Sequence, residues 1–144
     1  MFENFWGHAH VTSALTRMME QDRIRVLSVD DHALLREGIA MIINCQPDMV
    51  IVSQASGGKE AIEQYREHRP DVTLMDLRMP DLSGIDALAA IRAEFPEARI
   101  IMLTTFESDE EAQRALKAGA CGYLLKSIPP RELLQKIRQV HAGK

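Results

Sequence analysis

The sequence predicts an open, doubly wound α/β domain built from five strand-and-helix units. Short, nearly continuous apolar runs recur along the chain, as expected for parallel strands that are covered on both faces. A segment with apolar residues at helical spacing follows each run. Since connections between parallel strands cross over in the right-handed sense, the helices should lie on both sides of the sheet. The 144 residues suit one domain with a sizeable core.

The first two units are predicted from apolar runs and the helical segments after them. Residues 24–29 form a short run with β-branched side chains and predict the first strand, and the apolar positions of 34–42 recur at helical spacing. A second strand is predicted at 49–52. A second helix follows at 57–68, and Pro70 ends it.

The third unit has a clear helix start and stop. Its strand is predicted at 72–75, and Ser83 is a candidate N-cap for a helix that runs to Glu94 before Pro96. The fourth strand is then predicted at 99–103, so the alternation of strand and helix continues without interruption.

The last two helices are also marked by residues typical of helix ends. Ser108 and Glu111 have the spacing of a capping box, and Gly119 is a typical residue just past a helix end. A short fifth strand is predicted at 122–125. The last helix begins at Pro130, and four residues form its apolar face: Leu133, Leu134, Ile137 and Val140.

The bulk composition argues against several functional classes. The formal net charge is -4, so nothing in the overall charge favours nucleic acid or an anionic membrane as a partner. No apolar run approaches the roughly 20 residues that span a bilayer, and the N-terminus lacks the features of a secretory signal. Cys45 and Cys121 lie in apolar surroundings without a CxxC pattern, which predicts reduced, buried cysteines of a cytoplasmic protein.

Polar side chains collect at the carboxyl ends of the predicted strands. Asp30 and Asp31 end the first strand, Asp76 ends the third, Thr104 the fourth, and Lys126 follows the fifth. In open α/β sheets, ligands bind beyond these ends, where the strand order reverses. The sequence therefore predicts a functional site that holds three carboxylates, a hydroxyl and an ammonium group.

Charge suggests what such a site binds. Three neighbouring carboxylates cannot all stay ionised at low cost, so a divalent cation would relieve them, and oxygen ligands favour Mg²⁺. Mg²⁺ commonly has a phosphate as partner, and an Asp carboxylate can act as a nucleophile to give an aspartyl-phosphate. For Asp30 and Asp31, capping of the next helix is the alternative interpretation, and one of them can do both.

Four motifs, VDD, LMDLRMPDLSG, MLTT and GYLLK, occur in this order in the chain. Together they resemble the receiver domain of two-component response regulators, over about residues 24–142. The resemblance implies a flavodoxin-like fold with strand order 2-1-3-4-5 and Asp76 as the phosphoacceptor. It also implies that Asp30, Asp31, Asp76 and the backbone carbonyl of Arg78 hold Mg²⁺.

The resemblance implies a mechanism and a partner as well. Lys126 would contact the phosphoryl group, Thr104 would be the switch hydroxyl, and Tyr123 would be the aromatic that changes rotamer. A sensor histidine kinase would donate the phosphoryl group, and the surface made by helix four, strand five and helix five would change. Such a domain is a signalling module that catalyses only its own phosphorylation and dephosphorylation, not an enzyme acting on other substrates.

The C-terminal segment GACGYLLKSIPPRELLQKIRQVHAGK is similar to receivers that precede a LuxR-type helix-turn-helix. We therefore expect a transcriptional output through a DNA-binding domain absent from this chain, with weak homodimerisation on activation. The alternative is a stand-alone or phosphate-independent receiver that acts as a protein-binding module. A haloacid-dehalogenase-type phosphatase would need a DxDx[TV] strand end, which the segment VDDHALL lacks.

Residues 1–23 do not fit the α/β pattern. They contain the only tryptophan, Trp6, and the pair His8 and His10. We expect an N-terminal tail that is disordered, a leader or an extension of the domain, since a histidine pair alone is a weak indication of a metal site. The receiver domain is accordingly predicted to cover residues 24–142.

Overall fold

Five parallel strands form one sheet in the order β2-β1-β3-β4-β5, as the sequence predicts. The computed structural model describes residues 22–106 and 108–143, so the predicted tail falls almost entirely outside the described residues. The strands are β1 (Ile24–Val29), β2 (Met49–Ala55), β3 (Val72–Asp76), β4 (Ile100–Thr104) and β5 (Gly122–Leu125). The helices are α1 (Ala33–Asn44), α2 (Gly58–His68), α3 (Gly84–Glu94), α4 (Asp109–Lys117) and α5 (Pro130–His141).

The core is divided into two clusters, one on each face of the sheet. Alternate residues of a strand point to opposite faces, so Val26 belongs to one cluster and Leu27 to the other. Helices α1 and α5 contribute buried apolar residues to the first cluster, and α2, α3 and α4 contribute to the second. This distribution confirms the doubly wound arrangement. No helix in the described part of the chain is both long and apolar enough to cross a membrane.

Strand β2 is longer than its apolar pattern predicts. It continues through Ser53 and Gln54 to Ala55, because these residues pair with the second half of β1. The register shifts between Val26 and Leu27, whose partners are Ile51 and Ser53. Pairing with a central strand thus extends β2 across polar residues that would not predict a strand by themselves.

The predicted helix caps are mostly confirmed. The hydroxyl oxygen of Ser83 accepts a hydrogen bond from Asp86 N (3.1 Å), and that of Ser108 accepts one from Glu111 N (3.3 Å). Gly119 has a φ of 107°, the left-handed conformation expected after a helix end. The second half of the Ser108 capping box is not observed, because the Glu111 carboxylate contacts Arg78 instead.

The prediction that both cysteines are buried is wrong. Cys45 and Cys121 are free and exposed. Cys45 is the C-cap residue of α1, and Cys121 immediately precedes β5, a strand at the edge of the sheet. Apolar neighbours in sequence do not bury residues that lie at the ends of elements.

Candidate functional site

The sheet register places the predicted site residues side by side. Val29 pairs with Met75, so the next residues, Asp30 and Asp76, leave β1 and β3 at the same level. Asp76 in turn pairs with Leu103, and Thr104 follows as the last residue of β4. The end of the sheet at which the parallel strands terminate, called the carboxyl edge below, therefore brings the side chains of three strands together.

Lys126 lies between two of the carboxylates. Its Nζ is 2.9 Å from Asp30 Oδ2 and 3.1 Å from Asp76 Oδ1. The side chain of Lys126 is only 8% exposed, and the backbone N–H of Lys126 donates to the carbonyl of Thr104 (2.7 Å). The backbone after β5 is thus anchored on β4, which holds the ammonium group over the two strand ends.

The cluster contains more negative than positive charge. Burial raises the pKa of Asp76 to about 6, and the neighbouring charge of Asp30 and a contact with Asp31 act in the same direction. Lys126 opposes this shift, but only in part. The pKa of Lys126 itself is raised, because its contacts with Asp30 and Asp76 outweigh the effect of burial, which acts in the opposite direction.

Neither Asp30 nor Asp31 caps α1, so the capping interpretation is wrong. The N-cap residue is His32, and its own side chain makes no capping hydrogen bond. Asp30 is 1% exposed, and its Oδ1 accepts a hydrogen bond from His32 N (2.8 Å). Arg36 Nη1 holds the carbonyl of Asp30 at 2.5 Å. These contacts attach Asp30 to the start of α1, although Asp30 is not its N-cap residue.

The acidic residues have the composition of a metal site. Asp30, Asp31, His32 and Asp76 each offer a ligand atom, and these atoms lie within 4.8 Å of one another. The buried Asp30 Oδ2 is paired with Lys126 Nζ at 2.9 Å. Three neighbouring carboxylates beside this ammonium group still leave surplus negative charge, which is consistent with a site for a cation.

Sequence reasoning did not identify His32 as a site residue. Its Nδ1 is 3.3 Å from Asp30 Oδ1 and 3.3 Å from Asp31 Oδ1. Its position directly after the two acidic residues was the available signal. The sequence alone could not show that the imidazole turns back toward both carboxylates.

The two predicted switch residues are linked through a third residue. The hydroxyl oxygen of the buried Thr104 accepts a hydrogen bond from Phe106 N (3.3 Å). The hydroxyl of the half-buried Tyr123 donates to the carbonyl of Phe106 (3.4 Å). Phe106 therefore connects the end of β4 to β5, and its side chain is exposed.

Arg78 contacts the site through its backbone. Its N–H lies 3.4 Å from Asp76 Oδ1, and its guanidinium Nη2 donates to Glu111 Oε1 (2.8 Å) on α4. The second contact joins the loop after β3 to the start of α4. The role of the Arg78 carbonyl as a metal ligand stays a prediction.

Asp81 is a structural residue of the site that the sequence did not reveal. Its carboxylate accepts hydrogen bonds from Gly58 N and Lys59 N, both 3.1 Å, at the start of α2. These backbone donors lower the pKa of Asp81. The loop that carries Arg78 is thereby attached to a neighbouring helix.

Comparisons with known proteins agree with this geometry. A family model described as the response regulator receiver domain matches residues 26–138. The chain is 42% identical over 125 residues to the uncharacterized transcriptional regulatory protein YxjL of Bacillus subtilis, a match that covers 87% of this chain and 57% of YxjL. The chain thus spans little more than half the length of this relative.

Two solved structures have the same fold. The receiver domain of the response regulator NarL from Mycobacterium tuberculosis superposes with a TM-score of 0.82 at 31% identity, covering 85% of this chain and 99% of that one. A LuxR-family response regulator from Aurantimonas also gives 0.82, at 39% identity, with 85% and 87% covered. These matches confirm the predicted strand order and the predicted family resemblance.

Proposed function

The chain belongs to the family of response regulator receiver domains, and from this premise we propose that it accepts a phosphoryl group on Asp76 from the phosphohistidine of a sensor kinase. One observation carries the proposal: the buried ammonium of Lys126 lies between Asp30 and Asp76 at the carboxyl edge of the sheet. A lysine in this place can neutralise charge on a group that is transferred to Asp76.

The transfer requires little covalent chemistry from the protein. A carboxylate oxygen of Asp76 attacks phosphorus, a P–O bond forms, and the P–N bond to the imidazole of the donor breaks. The imidazole leaves with the bonding electron pair and takes a proton from solvent. Positioning and electrostatic stabilisation supply most of the catalysis of such a step.

Asp30, Asp31 and Asp76, with the backbone carbonyl of Arg78, would hold the metal ion, which we propose to be Mg²⁺. The three neighbouring carboxylates, which outnumber the ammonium group of Lys126, fit a hard cation. When bound, Mg²⁺ supplies positive charge to the phosphoryl oxygens and reduces the repulsion among the carboxylates.

The switch would use the link through Phe106. A phosphoryl group on Asp76 adds about two negative charges at the sheet edge. Thr104 then donates to a phosphoryl oxygen and releases Phe106 N, which is its present partner. Since Phe106 also holds the Tyr123 hydroxyl, the Tyr123 ring becomes free to turn inward, and the α4-β5-α5 surface changes.

The output would be transcriptional. YxjL, which matches the chain over 57% of its own length, is named a transcriptional regulatory protein. DNA binding would belong to an output domain of this kind and not to the receiver.

We place the receiver in the cytoplasm with its kinase, and we expect weak pairing on activation. Light scattering with and without beryllofluoride tests the pairing, and an unchanged mass over a wide concentration range would contradict it.

The decisive experiment is intact-protein mass spectrometry after incubation with acetyl phosphate and Mg²⁺. We expect one added phosphoryl group that requires Mg²⁺ and is lost in Asp76→Asn. The matched control is Asp86→Asn, which makes the same chemical change at an exposed position of α3. No adduct on the wild type, with no binding of beryllofluoride and Mg²⁺, would instead favour a phosphate-independent binding module.

A further inference from the structure

His32 is the one residue of the acidic cluster that the proposed phosphorylation chemistry does not use. Its Nδ1 is equally distant, at 3.3 Å, from Oδ1 of Asp30 and Oδ1 of Asp31. These contacts are longer than the 2.7–2.9 Å typical of charge-assisted hydrogen bonds, about 0.4 Å or more beyond that range. The imidazole therefore faces both carboxylates, and its hydrogen bond to Asp30 Oδ1 is a long one.

The spacing suits ligands that share one metal ion. Two atoms bound at about 2.1 Å from an ion are about 3.0 Å apart at a right angle and about 3.4 Å apart at the tetrahedral angle. The two 3.3 Å separations at His32 fall between these values. The two separations at Nδ1 are thus compatible with a shared ion, and each residue of the cluster offers a ligand atom within 4.8 Å of the others.

Asp30 separates this position from Lys126. Its Oδ2 is on the side of the ammonium group, and its Oδ1 is on the side of the imidazole. Lys126 therefore pairs with Oδ2, whereas Oδ1 accepts a hydrogen bond from His32 N (2.8 Å) and faces the imidazole. His32 itself is 70% exposed, which leaves its side of the cluster open to an ion from solvent.

We propose that His32 is a metal ligand of this site and that it lets the receiver bind imidazole-preferring divalent ions in competition with Mg²⁺. The inference rests on the proposed function, because both ions would use Asp30 and Asp31. Mg²⁺ takes oxygen ligands, whereas Ni²⁺, Cu²⁺ and Zn²⁺ accept imidazole readily and bind N/O sites more tightly in general. Such an ion at His32 would displace Mg²⁺ and block phosphorylation.

The test is calorimetric titration of the full chain with Ni²⁺, compared between the wild type and His32→Asn. Asn is a favoured N-cap residue, so this variant keeps α1 intact. Removing even an indirect partner of a metal ligand costs about tenfold or more in affinity, so we expect Ni²⁺ to bind His32→Asn at least about tenfold more weakly. The affinity for Mg²⁺ should change by less than about twofold.

His141→Asn is the matched control, because His141 is exposed at the end of α5 and far from the site in sequence. It should retain the full Ni²⁺ affinity of the wild type, and comparison among these variants removes any contribution from the other histidines. Excess Mg²⁺ should abolish the part of the heat that depends on His32.

Two outcomes separate this inference from the proposed function. Equal Ni²⁺ affinity in the wild type and His32→Asn, with normal phosphorylation in Mg²⁺, would overturn the role of His32 and leave the proposed function intact. Ni²⁺ binding that depends on His32, in a chain that takes no phosphoryl group from acetyl phosphate, would support the metal ligand and count against the proposed function.

Discussion

The strands of the sheet begin at one end, the amino edge, and terminate at the other, the carboxyl edge. These two edges use charged side chains in opposite ways. At the amino edge, Arg138 meets Asp48 with Nε at 2.8 Å from Oδ2 and Nη2 at 2.9 Å from Oδ1. One cation matches one anion there, and both side chains are more than 40% exposed. At the carboxyl edge, the buried Lys126 contacts two carboxylates, and Asp31 lies beside them.

The difference agrees with the proposal that the carboxyl edge is the functional one and that the amino edge only stabilises the fold. A two-point contact between exposed, balanced charges is cheap to form, and it stabilises the fold slightly. An arrangement of buried carboxylates with too few cations costs free energy in the absence of a ligand. Natural proteins retain such an arrangement mainly where a ligand or a reaction requires it.

The largest effect should come from removing the ammonium group of the carboxyl edge. Lys126→Met keeps much of the side-chain length but takes away the charge that lies 3.1 Å from Asp76. Loss of one group that stabilises developing charge typically slows a reaction about 100- to 1,000-fold. We therefore expect the rate of phosphorylation by acetyl phosphate in Mg²⁺ to fall by this factor. Intact-protein mass spectrometry over a time course measures this rate.

Lys117→Met is the control for that variant, since Lys117 is exposed at the end of α4. Its phosphorylation rate should equal that of the wild type. A rate for Lys126→Met within about threefold of the wild type would mean that the charge of this lysine is not used in the transfer, because the expected loss is about 100-fold or more.

The next-largest effect concerns the free energy that the ionised carboxylates of the carboxyl edge cost the folded state. Burial is the main cause that raises the pKa of Asp76 from 3.8 to about 6. Between pH 3.8 and 6, Asp76 is therefore mostly protonated in the folded state and mostly ionised in the unfolded state. Ionised Asp76 should therefore destabilise the fold at pH 7, by no more than about 3 kcal/mol. This cost should disappear as the pH falls through 6 toward 3.8.

Asp76→Asn removes the titrating group, so without Mg²⁺ we expect it to be more stable than the wild type at pH 7, by up to about 3 kcal/mol. Urea unfolding in EDTA at pH 7 and pH 4.5 measures the difference. It should shrink at the lower pH, whereas Asp86→Asn should show no such trend. A variant less stable than the wild type at pH 7 would contradict the idea that the carboxyl edge stores unfavourable charge.

A third experiment tests how closely the backbone is packed at the carboxyl edge. A Cβ at Gly84 would lie 2.1 Å from the carbonyl oxygen of Asp76, which is a backbone clash. Gly84→Ala should therefore destabilise the protein by about 1–3 kcal/mol and displace Asp76. Gly38→Ala in α1 meets no atom of the described chain within 4 Å, so it should stabilise by about 0.5–1 kcal/mol.

Thermal or urea unfolding of both glycine variants, with phosphorylation measured in parallel, gives the result. Gly84→Ala should lose phosphorylation along with stability, because the residue that moves is the proposed phosphoacceptor, Asp76. Equal stability of the two variants would mean that the loop after β3 can shift without cost.

The sequence predicted the fold well because the strongest patterns coincide with the core. The alternation of Val26 and Leu27 between the two faces of β1, and the apolar face of α5, are properties of the chain itself. The extent of β2 could not be predicted, since Ser53 and Gln54 become strand residues only through their pairing with β1. Local pattern decides where elements exist, and tertiary pairing decides where they end.

The sequence predicted which residues at the strand ends form the site. It did not predict the hydrogen bonds that connect the site to neighbouring loops and helices. Sheet topology alone brings Asp30, Asp76 and Lys126 together, so their proximity could be expected. The cap that Asp81 provides for α2 and the link from Phe106 to Tyr123 join segments that are distant in sequence. Nothing in the local pattern specifies such contacts, because they depend on the final position of each loop.

The smallest effect should come from the amino edge, and it completes the comparison. The hydrogen bonds from Arg138 lower the pKa of Asp48 below its ordinary value of 3.8. The stabilisation of the fold by the pair of Arg138 and Asp48 is therefore fully present above pH 3.8. It is lost as the pH falls through the lower pKa that Asp48 has in the folded state. Since more than 40% of each side chain is exposed, Arg138→Ala should cost only about 0.2–1 kcal/mol in urea unfolding at pH 7, and less in high salt. Arg131→Ala, at an exposed position of the same helix, is the control. A loss of several kcal/mol, or one that persists unchanged at pH 2, would show that the amino edge depends on packing by the Arg138 side chain and not on its charge.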